Sequence, residues 1–447
     1  MKIRNLVFEG MTVNPNPPQL RSLIPGLADS ALVRWCVYGL MAFPIVDYTL
    51  RTPWLHPLGL AWDKIVLGIL FVYALVRYLS GYRLPPFRWY RYAAWFILYG
   101  LGLMFAGLSS PLVAIQGYRI DVYYIVYTLL IPFVVTPRDV PKLLHIGAAV
   151  AILIAVSAVY QYILGVPNPP GWADVGEHIR TRVFTVLKSP NELGSYMALT
   201  TPLLVGMFLA EQDKWRRRLY LLGIPFAVAT LLFTYTRAAW VSFALALLVV
   251  AVLFERRLLI GLVVLAVLVY FIPPIHHRIA DLLSPVYWIK SAQAGRIYRW
   301  IVAYDQMASN PLLGVGVGRF GGAVASQYLG VIYSDNYYMK TLAETGLVGL
   351  TLFVTMHFAM LREVFVRSIR GIHGRQRYIL IGGFTGLIAV LIHNSMENVF
   401  EYAPMAIAYF MYATLYLIWS GPHGLGNASD ARGRKEAKMD AAVEKSS

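Results

Sequence analysis

The chain is 447 residues long, 58% hydrophobic and only 14% charged, with a mean hydropathy of +0.58. No soluble domain of this size can bury so much apolar surface, so the net charge of +16 is read by its location along a membrane, and no nucleic acid is expected as a partner. The single cysteine, Cys36, excludes an internal disulfide and, lying in an apolar run, reads as a buried structural thiol.

Residues 1–30 lack an apolar core and a cleavage site, so no removable signal peptide is expected and the first apolar run directs insertion. Nearly charge-free windows of spanning length then recur, and about twelve spans are expected. They lie near 31–47, 64–80, 92–108, 118–135, 143–165, 192–210, 219–235, 238–254, 258–273, 343–361, 379–393 and 403–419. The fold class is therefore all-α integral membrane. The expected organisation is a cytoplasmic segment at 1–30, nine spans within 31–273, an extracytoplasmic loop domain at 274–342, three spans within 343–420, and a disordered cytoplasmic tail at 421–447.

Alternate connectors carry the basic residues: RYLSGYRLPPFRWYR, TPRDVPK, EQDKWRRR, FERR, REVFVRSIRGIHGRQR and the tail RGRKEAK. The positive-inside rule puts these in the cytoplasm, with both termini. Two connectors on the opposite side are long: Val166 to Pro190, and Pro274 to about Leu342. Within the second, AGRIYRWIVAYDQM places Ile297, Trp300, Ile301 and Tyr304 on one helical face, and NPLLGVGVGRFGG reads as a Pro/Gly-rich turn. A cap folded as short helices and leaning on the bundle is expected there.

Both long connectors break the charge pattern. The first carries Arg180, Arg182 and Lys188; the second carries Arg278, Lys290, Arg296, Arg299, Arg319 and Lys340. Arg119 opens the fourth span, and Arg237 lies between the seventh and eighth spans, where a charge is costly and marks function by default. Guanidinium groups grip phosphate bidentately, and a lipid-borne diphosphate at the outer boundary is an anion of matching size. The plainer reading pairs the loop arginines with lipid head groups or with Asp281, Asp305 and Glu177. In YSDNYYMKTLAETGLVGL, Asp335 can accept a proton from a sugar hydroxyl and Asn336 can orient it. Alternatively, Asp335 only caps the tenth helix. Glu344 lies four residues beyond Lys340, as in a helical ion pair. His393, Glu397 and Glu401 in LIHNSMENVFEY, and the pair His276–His277, rank below these, and no zinc-type spacing, nucleophile elbow or P-loop occurs.

Four stretches in order resemble the O-antigen ligases and O-antigen (Wzy-type) polymerases: SPNELGSYMALTTPLL at 189–204, FTYTRAAWVSFALALL at 233–248, AGRIYRWIVAYDQMASNPLLGVGVGRF at 294–320, and SDNYYMKTLAETGLVGL at 334–350. The resemblance implies a GT-C-like membrane glycosyltransferase that needs no metal or other cofactor. Such an enzyme moves a glycan from a polyprenyl (undecaprenyl) diphosphate carrier to an acceptor sugar hydroxyl on the outer face of the bacterial inner membrane. On that resemblance Arg237 and Arg296 bind the diphosphate; the chemistry makes Asp335 the expected base that activates the acceptor, with Asn336 or a tyrosine positioning the sugar, and Tyr337 is a candidate substrate ligand. Arg119, Arg180, Arg182, Asn191, Arg299, Arg319 and Lys340 are candidate substrate ligands. The ligases have a histidine where this chain has Asp335, which tilts the expectation towards a polymerase. A chain-length regulator or flippase is a conceivable partner, beside the lipid-linked oligosaccharide, the acceptor glycan and the bilayer.

Two other classes compete. About twelve spans also suit a transporter, and the glycines of IGGFTG keep that option open. The polar groups nevertheless gather at one surface rather than at midplane, which favours an enzyme over a transporter or a scaffold.

Overall fold

Among the described residues, each apolar run expected to span is helical over most of its length. In the computed structural model the described residues are 30–84, 87–169, 181–254, 258–271 and 283–420, with 256, 276 and 280. The termini assigned to the cytoplasm, and Arg180, Glu177, Arg278, His277 and Asp281, lie outside them. The helices are α1 (Ala31–Met41), α2 (Phe43–Leu50), α3 (His56–Leu79), α4 (Trp89–Ala106), α5 (Pro111–Val134), α6 (Val140–Leu164), α7 (Pro190–Ala210), α8 (Lys214–Phe233), α9 (Arg237–Phe254) and α10 (Leu258–Tyr270). Three shorter ones follow: α11 (Pro285–Gln293), α12 (Arg296–Ser309) and α13 (Ala323–Leu329). The last are α14 (Tyr337–Glu363), α15 (Gln376–His393) and α16 (Ala403–Trp419). Among the described residues the only β pairing is an isolated bridge between Gly321 and Tyr333.

Among the described residues six helices are long and apolar enough to cross a membrane: α3, α6, α7, α9, α15, and α14 with its π-helical extension to Ile369. The pair α1–α2, bent by 94° before Pro44, makes a seventh if it is one span. Four of the others fall short for visible reasons. α10 and α16 have 13 and 17 residues. α5 carries Arg119 and Asp121, and α8 opens on Lys214 and three arginines. Large side chains such as Phe71, Leu153 and Phe358 are 55%, 61% and 66% exposed along these helices. Apolar surface on that scale is stable in lipid, and the chain is a multi-pass membrane protein.

Close helix packing sets where the polar end lies. A Cβ at Gly382 would sit 2.1 Å from the Pro202 carbonyl oxygen, and one at Gly386 2.1 Å from that of Leu199. α15 thus lies almost backbone to backbone on α7, as small residues allow in membrane interfaces. The glycines of IGGFTG are packing glycines, and they bring Asn191 at one helix end close to His393 at the other.

α14 is broken near its start. Gly346 has φ 64° and ψ −168°, which interrupts the helical ladder. The freed groups are taken up by the glycine-rich loop after α12: Leu347 N–H donates to the Pro311 carbonyl at 2.8 Å, and Val315 and Gly316 N–H donate to Ala343 and Glu344 carbonyls at 2.9 Å each. Tyr99 Oη donates to the Thr345 carbonyl at 2.8 Å. Non-helical backbone at membrane depth survives only when it is satisfied in this way. A small core of Ala303, Phe320 and Ala343 seals the loop onto α14.

A Cβ at Gly346 would meet the Leu312 carbonyl carbon at 2.4 Å, besides being strained at positive φ. Gly346→Ala is therefore expected to cost about 2 kcal/mol or more. Gly68→Ala, where a Cβ meets nothing within 4 Å, is the control. Thermal unfolding in detergent reads the difference; equal melting temperatures would mean that the break is dispensable.

Candidate active site

The helix directions alternate, so the turns at 107–110, 181–189, 234–236 and 394–402 gather with the 283–336 segment at one end of the bundle, opposite the basic connectors. At that end Asp335 lies two residues ahead of the first residue of α14, in a left-handed backbone conformation, φ 48°. It does not cap the helix. Asn336 does: its Oδ1 accepts from the N–H groups of Tyr338 at 3.0 Å and Met339 at 3.1 Å. This corrects the capping alternative for Asp335 and starts the helix at Tyr337, ahead of the expected 343.

Released from capping, Asp335 faces α12. Its Oδ2 accepts a 2.5 Å bond from Arg299 Nη1 and lies 3.8 Å from Arg296 Nε. The two arginines sit one turn apart and so share a face. That face is not the expected one. Ile301 and Tyr304 are 51% and 58% exposed, whereas Ala303 and Met307 are buried and Arg296, Arg299 and Trp300 half-buried. The ion pairs with Asp335, together with the small Ala303, turn α12 away from its most apolar stripe.

A second chain of contacts leads to the same place. Arg182 Nε donates to the Thr234 carbonyl at 2.9 Å, and its Nη2 to Thr236 Oγ1 at 3.2 Å and Asn191 Oδ1 at 3.3 Å. Asn191 Nδ2 donates to Glu397 Oε2 at 2.5 Å. Burial first, and the nearby charge of Asp335 second, push the Glu397 carboxyl up to about 7, against the pull of Arg296. His393, fully buried beside Arg296, has neither ring nitrogen hydrogen-bonded. Arg237 follows Thr236 as the first residue of α9, its guanidinium 5.1 Å from the Tyr287 ring of α11. Arg182, Asn191, Arg296, Arg299, Asp335 and Glu397 therefore belong to one region, and Arg237 borders it through its neighbour Thr236.

The remaining candidates lie elsewhere. Lys340 is buried, its Nζ 2.7 Å from Asp121, 3.3 Å from Glu401 and 3.4 Å from Glu344. Tyr337 Oη donates to the same Asp121 at 2.8 Å. Both side chains are buried in this set of contacts, away from Asp335, and the helical Lys340–Glu344 pair is present. Arg319 clamps the turn before α5, donating to Ser109 Oγ at 3.0 Å and the Gly107 carbonyl at 3.3 Å. Arg119 is exposed on α5, near the tyrosines Tyr123 and Tyr124 rather than Asp335. Glu397, ranked low in the sequence, is central because Asn191 and Arg296 converge on it; only its place in a polar cluster after an apolar span marked it.

Asn336→Ala is expected to lower stability by about 1 kcal/mol through loss of the cap. Asp335→Asn should cost less, since asparagine tolerates positive φ. An unchanged melting temperature for Asn336→Ala would mean that the cap does not hold the helix start.

Residues 220–354 match a family model described as O-antigen ligase. The match runs from α8 into α14 and takes in Arg237, Arg296, Arg299, Asp335 and Asn336, but not Arg182, Asn191 or Glu397. No curated protein matches the chain.

Proposed function

We propose, from the O-antigen ligase family domain at residues 220–354 and the cluster it contributes, that this membrane protein is a glycosyltransferase acting on a lipid-linked diphosphate donor. The observation that carries the reading is the convergence of guanidinium groups on Asp335 and Glu397 at the bundle end opposite the basic connectors. By the positive-inside rule that end is extracytoplasmic.

Breaking a glycosyl–diphosphate bond releases negative charge onto the leaving oxygen. Arg237 and Arg296 stabilise that charge without reorganising. Arg296 meets Asp335 only through Nε at 3.8 Å, so its terminal nitrogens remain able to bind an anion. Arg299, bonded at 2.5 Å, fixes the carboxylate instead. The unengaged oxygen of Asp335 accepts the proton of the acceptor hydroxyl as that oxygen attacks the anomeric carbon and the diphosphate departs. One direct displacement inverts the anomeric centre. Asn191 and Arg182 hold Glu397 behind this pair.

The Glu397 carboxyl, raised to about 7, is protonated below that pH, leaving the guanidinium cluster one anion short, so transfer should rise with pH through about 7. Glu397→Gln should flatten that limb, whereas Asp335→Asn should abolish transfer at every pH. An active Asp335→Asn enzyme would remove Asp335 as the base.

The acceptor divides two readings. Asp335, where the resembling ligases carry histidine, favours a repeat-unit polymerase; the description of the matching family favours a ligase. Deleting the gene and separating the lipid-linked glycans decides: single repeats accumulate for a polymerase, full-length unligated chains for a ligase.

A further inference from the structure

A cavity of about 410 Å³ opens at the end of the bundle away from Asp335, among the start of α6, the end of α7, the start of α15 and the end of α16. α7 alone runs from Asn191 to this cavity, a separation of about 30 Å for a helix of that length. The space is therefore independent of the glycan-transfer site. Its size is that of a small-ligand pocket.

Two opposite charges line it without neutralising each other. Arg375 forms no ion pair among the described residues, and Glu211 has only His145 as an ionic neighbour, at 3.8 Å. Glu211 Oε1 is occupied by the N–H groups of Gln212 and Asp213 at 2.9 and 3.0 Å. Oε2 accepts no hydrogen bond, since 3.8 Å from His145 is too long for one. Tyr220 Oη holds the other ring nitrogen of His145 and so fixes the imidazole beside Glu211. Gln376 adds an amide, and Trp419, Met207 and Ile379 supply apolar wall. Arg375 is exposed at the mouth of this cavity and Glu211 is half-buried in its wall, so both charges are open to a ligand that carries the two complementary ones.

We infer that this cavity binds an amine–phosphate zwitterion, the ammonium on Glu211 and the phosphate on Arg375. The chemistry is that of a phosphoethanolamine group, carried by a lipid head group or free in solution. Guanidinium suits the phosphate fork, and a primary ammonium can donate to Glu211 Oε2 as a quaternary one cannot.

The test uses the full-length protein in detergent and titrates it with dioctanoyl phosphatidylethanolamine, dioctanoyl phosphatidylcholine, dioctanoyl phosphatidylglycerol and free O-phosphoethanolamine. Saturable binding of the ethanolamine lipid, at least tenfold tighter than of the choline and glycerol lipids, supports the inference. Glu211→Gln and Arg375→Ala should each weaken it at least tenfold while glycan transfer stays unchanged. Free O-phosphoethanolamine binding as tightly as the lipid would identify a soluble ligand; much weaker binding would identify the lipid. No saturable binding of either ethanolamine probe, or no preference among head groups, overturns the site. The head-group ranking is read on the unaltered protein, so it stands whether or not the variants fold.

Discussion

Arg296→Ala is expected to reduce glycan transfer at least a hundredfold while the protein still inserts and purifies as the wild type does. Removing one preplaced donor from a site of developing charge costs about 10²–10³ in rate. Two features make Arg296 the sharpest case. It is half-buried at the head of α12, where Ala303 and Met307 anchor the helix, so its position is fixed before substrate arrives. It also faces Asp335 and Glu397 together, so its loss disturbs both the anion site and the proton acceptor. Arg237→Ala should behave alike, since Arg237 opens α9 directly after Thr236 and the Asn191 contact. Arg296→Lys should recover only part of the rate, because an ammonium offers no planar fork. A gel of lipid-linked glycans from cells carrying each variant reads the outcome, and unchanged ladders would remove these arginines from the mechanism.

Lys340→Met should act on the fold rather than on the chemistry. The lysine side chain is 3% exposed and faces Asp121, Glu344 and Glu401, themselves 9%, 1% and 3% exposed. Removing the cation leaves three buried carboxylates to face one another, which costs about 3–5 kcal/mol. The damage would spread, because Glu401 Oε2 also accepts from Ala323 N–H and Tyr333 Oη at 2.9 Å each, and Glu344 Oε1 from Phe320 N–H at 3.1 Å. Lys340 therefore ties α5, α14, the turn before α16 and the cap to one another. Lys340→Met is expected to aggregate on extraction or to melt far below the wild type, and Glu344→Gln added to it should restore part of the loss. A Lys340→Met protein of wild-type stability and lowered activity would return Lys340 to the substrate.

The helices and their order were legible because charge-free windows have one stable solution in lipid, and Gly/Pro-rich breaks separate them. Whether each of twelve runs is a separate span is less legible, since helices such as α5 mix tyrosines, Arg119 and Asp121 into their length. The broken α14 was hidden: nothing in TLAETGLVGL announces that Gly346 receives a loop from residues 311–316. For the site, Arg237, Arg296 and Asp335 were recognisable through ordered motifs, but their partners depend on tertiary geometry. Lys340 and Tyr337 lie within the same motif as Asp335, but they are three residues apart on one face of α14 and meet Asp121 there, whereas Asp335 lies ahead of the helix in a left-handed conformation. Asn191 and Glu397 meet only because Gly382 and Gly386 let α15 lie flat on α7, a contact that no local pattern spells out.

The central claim is that Arg237 and Arg296 together hold a lipid-borne diphosphate beside Asp335. Equilibrium binding of a short-chain polyprenyl diphosphate to the purified protein tests it most directly. The account predicts saturable binding that the wild type shows, that the corresponding monophosphate gives more weakly, and that the Arg237→Ala/Arg296→Ala double variant loses. Equal affinity for the diphosphate in wild type and double variant would contradict it.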